Sequence, residues 1–398
     1  MSGTKNQNKV LILLLSNLFI AFLGIGLVIP VMPTLMRELD LDGTIMGYLV
    51  SAFAVAQLIV SPFAGKWVDL YGRKRMIVIG MFIFGVSELI FGLGEQVWVL
   101  FVSRVLGGIS AAFIMPAVTA FIADITTIKE RPKALGYLSA AINTGFIIGP
   151  GIGGFLADIG TRVPFYFAGG LGIFAGFFSI VMLSEPERTV ETNSSKMESD
   201  TGKKGYRKLF TIMYLIPFLI ILSASLGLST FESMYSLFVD QKYGFTAKDI
   251  AMLITVSAIL GVIAQVFLFE RITRIIGEIW LVKICLLVGA IFAFLLTRAS
   301  AYWSVLAVTF LVFLAFDLIR PAITTYLSRI AGNDQGFVSG MNSAFTSIGN
   351  IIGPAIGGIL FDVNLIYPYM FAAILLGVSL LISLVWRERE TAEVQSIE

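Results

Sequence analysis

The chain has 398 residues, of which 57% are hydrophobic and 14% are charged, and its formal net charge is +2. Long apolar runs recur from one end to the other, which excludes a soluble globular protein and predicts an all-α polytopic membrane protein. There is no His and a single Cys, Cys285, so an internal disulfide and an imidazole metal ligand or proton carrier are excluded. The small net charge gives no indication of a nucleic-acid partner, and we predict no metal and no cofactor.

Twelve segments reach the length of about 20 apolar residues that a bilayer core of roughly 30 Å requires. A polar segment after the sixth divides them into two sets of six. The predicted spans are 10–36, 45–66, 76–94, 97–120, 134–158, 164–184, 211–239, 249–269, 279–297, 303–326, 337–361 and 366–386. The first is expected to be retained, because no small-residue cleavage site interrupts it.

The dividing segment is rich in Ser, Thr, Glu and Lys and has too few large apolar side chains to bury a core. We therefore predict an N-terminal six-helix half (1–184), a cytoplasmic linker (185–210), a C-terminal six-helix half (211–386) and a cytoplasmic tail (387–398). With the first terminus inside, 20 of the 28 Lys and Arg residues fall in inner segments and five in outer ones. Positively charged loops stay in the cytoplasm, so both termini are predicted to be cytoplasmic.

An internal repeat supports the two halves. Residues 145–158 read GFIIGPGIGGFLAD and residues 349–362, 204 positions later, read GNIIGPAIGGILFD, with ten of fourteen positions identical. A duplication in the same membrane orientation predicts two halves in a pseudo-twofold arrangement, with a substrate site between them near mid-depth.

The loop after the second span reads GKWVDLYGRKR over residues 65–75. Gly65 is predicted to allow a close backbone approach, Gly72 a tight turn, and Asp69 a place at a positive helix N-terminus. Asp124, at the inner end of the fourth span, is the predicted partner of Arg73. The alternative is a plain positive anchor on the cytoplasmic side.

Two spans of the first half carry buried charge. Arg104 lies on a small-residue face of the fourth span (RVLGGISAA), where a buried guanidinium must find a carboxylate or carbonyls. Its role is either functional or a structural bond between helices. Glu88 in the third span is predicted to serve in structural pairing.

The fifth span carries glycines spaced to form a flat face, together with a proline that removes one backbone donor and bends the helix. These residues are Gly145, Gly149, Pro150, Gly153 and Gly154. Ordinary small-residue packing is the alternative, and the matching pattern in the eleventh span shows that it is not unique to this position.

Glu232 in the seventh span and Asp317 with Arg320 in the tenth place charge in predicted hydrocarbon. An ionisable residue at that depth is a functional hypothesis by default, because it is tolerated mainly where it faces a bundle interior or a wet cavity. Asp317 and Arg320 are three residues apart and share a helix face. The alternative is an ion pair that only fixes this helix against its neighbours.

Taken together, these motifs resemble the twelve-span drug:proton antiporters of the major facilitator superfamily, over essentially the whole chain. The resemblance implies the major facilitator fold and three sets of site residues. The proton-coupling set is Glu232, Asp317, Arg320 and Arg104. The conformational latch is Gly65, Asp69, Gly72, Arg73 and Asp124, and the antiporter motif is Gly145, Gly149, Pro150, Gly153 and Gly154.

With this resemblance, we expect an apolar, aromatic-lined cavity that binds lipophilic cations and amphiphilic drugs, such as fluoroquinolones, dyes and quaternary ammonium compounds. The predicted substrate-binding residues are Phe22, Phe53, Gln57, Met115, Asn143, Phe146, Glu232, Phe313, Asp317 and Asn350. External protons would displace the drug in an alternating-access cycle. Energy would come from the proton gradient, since no G-x-x-x-x-G-K-[ST] loop is present. We expect a monomer in the cell membrane whose partners are drugs, protons and lipid.

Other functions are compatible with parts of this pattern. An exporter or symporter of a sugar or another small metabolite could use the same fold, with Gln57, Asn143, Gln265 and Asn350 as polar contacts. A non-transporting sensor would keep the fold without requiring both acids. An intramembrane enzyme is disfavoured, because no paired nucleophile and base is evident.

Overall fold

The computed structural model describes residues 2–127, 129–186, 212–331 and 335–386, and every regular element in that part of the chain is helical. Twelve of the described helices are long and apolar enough to cross a membrane. They match the twelve predicted spans, with ends displaced by a few residues. The prediction of an all-α membrane protein with twelve spans is therefore confirmed.

The first six spans are formed by seven helices. A 3₁₀ turn at Ile29–Val31 joins α1 to α2, and the prolines at its start and just after it, Pro30 and Pro33, need no backbone donor in a first turn. The helices are α1 (Ser2–Val28), α2 (Met32–Glu38), α3 (Gly43–Tyr71), α4 (Arg73–Leu93), α5 (Val97–Ile125), α6 (Arg131–Ala157) and α7 (Val163–Met182).

The last six spans follow the same plan, with one short helix on the loop after the eighth span. The helices are α8 (Ile212–Tyr243), α9 (Ala247–Phe267), α10 (Phe269–Ile276), α11 (Glu278–Leu296), α12 (Tyr302–Ile330), α13 (Gln335–Val363) and α14 (Tyr367–Leu384).

The chain forms two compact units. The first contains Met1–Ser194 and Ser233–Val256, and the second contains Ser195–Glu232 and Ser257–Glu398. A core of large apolar side chains lies among α1, α4 and α5 of the first unit, including Leu14, Leu18, Ile77, Met81, Ile114 and Phe121. The division into halves at 1–184 and 211–386 stays a prediction.

The repeated glycine motif packs in the same way in each unit. A Cβ at Gly145 would lie 2.8 Å from Leu23 N, and one at Gly149 would lie 2.7 Å from Leu23 O, so α6 lies directly against the backbone of α1. At the equivalent positions on α13, a Cβ at Gly349 would lie 2.7 Å from Leu226 N and one at Gly353 2.8 Å from Leu226 O of α8. The duplicated sequence therefore builds the same contact between the first and fifth spans of each half.

A second face of α6 packs on α9 within the first unit. A Cβ at Gly154 would lie 2.5 Å from Ala251 Cβ and 3.1 Å from Ala247 O. Thr255 Oγ1 also donates to Ile147 O at 3.2 Å. The glycines of this motif therefore pack against two helices. Gly145, Gly149 and Gly153 face α1, and Gly154 faces α9.

The glycine contact with α1 should be visible in stability. Gly149→Ala inserts a methyl group against backbone that cannot rotate away, and we expect a loss of about 1–3 kcal/mol. Gly136, in the same helix, has no atom within 4 Å of its Cβ position in the described part of the chain. Gly136→Ala should be neutral or stabilising by up to about 1 kcal/mol through helix propensity. Thermal unfolding in detergent measures both, and equal melting temperatures for the two variants would contradict the close contact.

Candidate functional site

The two predicted proton-coupling acids lie on neighbouring elements of the second unit. Glu232 is on α8 and Asp317 is on α12, and both are solvent-accessible, as is Arg320. Glu232 lies close enough for its charge to interact with the charges of Asp317 and Arg320. The structure therefore brings Asp317 and Arg320 within electrostatic reach of Glu232.

Space for the Asp317 carboxylate is provided by a glycine. A Cβ added to Gly261 of α9 would lie only 2.7 Å from Asp317 Oδ2. Any larger residue there would have to displace the carboxylate. Sequence reasoning missed Gly261, because a single glycine in an apolar helix carries no pattern that points to a charged neighbour on another span.

The helical turn that precedes Glu232 is fixed by three consecutive residues. Ser229 Oγ donates to Asn350 Oδ1 at 2.8 Å, and Thr230 Oγ1 donates to Gly353 O at 2.9 Å. The fully buried ring of Phe231 packs edge-on against Phe313, with ring centroids 5.5 Å apart. Three side chains on one turn thus hold α8 against α12 and α13, which sets the position of the Glu232 carboxyl.

The remaining predicted substrate residues belong to the first unit. Phe22 and Phe146 lie together, with ring centroids 5.0 Å apart. Phe53 lies against Gly107 and Gly108, where a Cβ at Gly107 would be 3.2 Å from the ring. Asn143 is exposed, and Gln57 and Met115 are half-buried. Each unit therefore groups its own members of the predicted set: Phe22 with Phe146 in the first, and Glu232, Phe313, Asp317 and Asn350 in the second.

Arg104 and Glu88 meet inside the first unit. Arg104 Nη1 lies 3.8 Å from Glu88 Oε1, and both side chains are largely buried. The predicted carboxylate partner of Arg104 is thus Glu88 of the neighbouring helix α4, and the pairing predicted for Glu88 is present.

At the turn between α3 and α4, the predicted partner of Arg73 is in place, and Arg73 also contacts Asp69. Arg73 Nε lies 2.8 Å from Asp124 Oδ2, and Arg73 Nη2 lies 3.2 Å from Asp69 Oδ1. Gly72 adopts φ +101°, the left-handed region that the predicted tight turn requires. By contrast, no atom in the described part of the chain lies within 4 Å of a Cβ at Gly65. The close backbone approach predicted there is not present in this structure.

Glu185 also binds at this turn, through backbone amides of α4. From the sequence it was predicted only to be part of the linker. Its Oε1 accepts a hydrogen bond from Arg73 N at 2.5 Å, and its Oε2 accepts one from Lys74 N at 3.0 Å. These amides are at the N-terminus of α4, where backbone donors lack helical partners and a negative charge is favoured. Glu185 therefore caps a helix that begins 112 residues earlier in the chain.

At the other ends of these spans, two ion pairs connect helices of the first unit. One joins α2 to the end of α8, and the other joins the end of α6 to the start of α9. Arg37 pairs with Asp240, and Asp158 pairs with Lys248. A cleft of about 300 Å³ adjoins the first pair, with Pro30, Pro33, Phe245 and Ile250 in its wall. The sequence indicated no partner for any of these four residues.

Comparison with known proteins agrees with this architecture. The family model described as Major Facilitator Superfamily matches residues 14–268 and 217–397. The chain belongs to the major facilitator superfamily. The first match begins within the first span and reaches through the eighth, and the second begins within the seventh and reaches through the twelfth, as expected for a duplicated unit.

Among curated members of the superfamily, the chain is 59% identical to Multidrug resistance protein 1 of Bacillus subtilis, covering 96% of this chain and 97% of that protein. It is 46% identical to Quinolone resistance protein NorA of Staphylococcus aureus, covering 94% and 95%. The solved structure of the nucleoside transporter NupG is only 14% identical but has a TM-score of 0.78 over 94% of this chain and 97% of that one. This last likeness shows the major facilitator fold alone.

The capping role of Glu185 leads to a specific expectation. Glu185→Ala leaves the amides of Arg73 and Lys74 without their carboxylate, and loss of a helix cap costs about 0.5–2 kcal/mol. We expect a lower melting temperature and faster hydrogen exchange at these two amides. Ser184→Ala, at the neighbouring exposed position, is the control. Unchanged exchange at residues 73 and 74 in Glu185→Ala would show that the cap does not form in solution.

Proposed function

We propose that this chain exports lipophilic cations and amphiphilic drugs across the cell membrane in exchange for protons. The observation that carries the proposal is the cluster of Glu232, Asp317 and Arg320, in which two accessible carboxyl groups lie within electrostatic reach of each other on membrane spans. The names of the curated relatives, a multidrug resistance protein and a quinolone resistance protein, support drugs as the cargo.

Exchange follows from competition for the same negative charge. When the carboxyl groups are ionised, they attract a cationic drug, and when they are protonated, they no longer do. Two acids close together cannot both ionise easily in a low-dielectric site, so one of them readily accepts a proton. An inward proton gains about 2.3 kcal/mol per 100 mV of membrane potential, which would supply the energy without a cofactor.

The aromatic side chains support an apolar cation as cargo. Phe22 packs with Phe146, and Phe313 packs on the buried Phe231. The accessible ring faces of Phe22, Phe146 and Phe313 would attract cations by about 0.5–2 kcal/mol. Met115 adds a flexible wall that accepts different shapes. A monomer in the cell membrane with both termini in the cytoplasm completes the proposal, with the drug taken up from the cytoplasm or the inner leaflet.

The test measures proton release from inverted membrane vesicles with an acidic lumen when ethidium is added. The wild-type protein should release protons, whereas Glu232→Gln and Asp317→Asn should each abolish the release, because the amide cannot carry a proton. Glu270→Gln is the control, since Glu270 is a highly exposed residue paired with Arg274 on α10.

Two results would contradict parts of this proposal. Full ethidium-driven proton release from the double variant Glu232→Gln and Asp317→Asn would overturn the site assignment. Proton movement that responds to a sugar but not to ethidium or other cations would favour the metabolite transporter instead.

A further inference from the structure

The Glu88–Arg104 pair is a second buried charge site, separate from the acids of the second unit. Glu88 is 3% exposed and lies five residues before the end of α4 at Leu93. Arg104 lies seven residues into α5, which begins at Val97, so the pair sits about 10 Å in from these helix ends. A charged pair at this depth is costly to desolvate and needs good hydrogen-bond geometry to recover that cost.

The geometry of the Glu88–Arg104 pair is too loose to recover the desolvation cost. The shortest separation, Arg104 Nη1 to Glu88 Oε1, is 3.8 Å, whereas a charge-assisted hydrogen bond is about 2.7–2.9 Å. Glu88 Oε2 and Arg104 Nη2 are buried and have no hydrogen-bond partner in the described part of the chain. One carboxylate oxygen is thus left unsatisfied, and adding a proton to it removes the cost of the buried negative charge.

Arg104 has a second stabilising contact that does not depend on the proton. Its guanidinium carbon lies 3.9 Å from the centroid of the Phe91 ring, and Phe91 is fully buried and stacked on Phe165 at 4.9 Å. A cation over an aromatic face is attracted whatever the charge of Glu88. The guanidinium can therefore stay over the Phe91 ring when the Glu88 carboxyl is neutral. When the carboxyl is ionised, the guanidinium is attracted to both the ring and the carboxylate.

Apart from Arg162, which bonds to a carbonyl one turn along α4 from Glu88, the other charges on the packed helices are distant from Glu88. Helices α3, α4 and α5 carry theirs at the opposite ends, with Asp124 about 30 Å along α5 from Arg104. Arg162 precedes α7, and its Nη1 donates to Gly92 O and Gly94 O at 2.8 and 3.1 Å. The charged residues at those opposite ends are Lys66, Asp69, Arg73, Lys74, Arg75 and Asp124. In the described part of the chain, the charged group that faces Glu88 is therefore Arg104.

We propose that Glu88 is a proton-binding residue of the exchange cycle and a positioning residue for Arg104. The ionised carboxylate draws the guanidinium towards Glu88 Oε1. A proton from water on the partly open side of Arg104, whose side chain is 14% exposed, binds to Glu88 Oε2 and leaves Arg104 held by Phe91 alone. The pair then changes from neutral to a net charge of +1. This proposal rests on proton-coupled export as the function of the chain.

The first test uses full-length Glu88→Gln in proteoliposomes and measures ethidium-driven proton release across a series of pH values. Gln has the same size as Glu but cannot ionise. We expect the maximal rate to fall by about tenfold and the pH profile to lose one titrating step, while KM for ethidium stays within about twofold. Glu270→Gln should keep the wild-type profile.

A second variant keeps the carboxyl group but moves it. Glu88→Asp places the carboxyl one methylene further from Arg104, so exchange should remain pH-dependent with a displaced midpoint. This variant decides the question if Glu88→Gln does not reach the membrane in folded form. A midpoint equal to that of the wild type would overturn the proposal.

A purely structural pair predicts a different pattern. Removing both charges, in Glu88→Gln with Arg104→Gln, would restore the wild-type rate and pH profile, because a neutral buried pair is tolerated where a single buried charge is not. That result would also overturn the proposal. Wild-type protein that releases no protons on ethidium addition overturns the proposed function itself, whereas active wild-type protein with an unchanged Glu88→Asp midpoint overturns only the role of Glu88.

Discussion

The high free energy of a charge in a low-dielectric interior is the constraint on which the rest of this structure depends. The intramembrane charges described above are each placed beside a compensating group. Arg104 has Glu88 and the Phe91 ring, Asp317 has space left by Gly261, and Glu232 has the charge of Arg320 within reach. Such compensation requires neighbouring helices to be held in register. In the second unit, the glycine contact of α13 with α8 fixes the helix that carries Glu232, since backbone packed directly on backbone cannot relax by rotating a side chain.

The duplicated halves share a backbone plan but differ in charge. The same glycine spacing packs the fifth span of each half on the first, and the turn after the second span of each half contains a glycine with positive φ, +101° at Gly72 and +79° at Gly277. The first half carries the buried pair Glu88–Arg104, and acidic side chains surround Arg73 at the start of α4. The second half carries the two accessible acids Glu232 and Asp317. Packing is therefore conserved between the repeats by steric need, and the charged residues are free to differ because they are not part of that packing.

The sequence predicts the spans well because bilayer thickness fixes their length, and it predicts the glycine faces because their spacing matches the helical repeat. It also predicts the Arg73–Asp124 contact, since both residues end spans on the same side. Glu185 could not be predicted as a cap, because the amides it binds are 112 residues away and nothing local marks it. Gly261 was missed for a similar reason. The pairing of Arg37 on α2 with Asp240 on α8 could not be predicted either, because the two residues are 203 positions apart and neither lies in a motif. At Gly65 a motif position predicted a close contact that is open in this structure.

The bond between Glu185 and the start of α4 has a consequence for how the molecule can be divided. The sixth span ends at Met182, so a boundary drawn from hydrophobicity would cut just after it. A first half produced as its own polypeptide and ending there would begin its third span with two bare amides. The same half extended by a few residues would include the carboxylate that binds these amides. A boundary for splitting or recombining the halves should therefore be placed after Glu185 rather than after the last apolar residue.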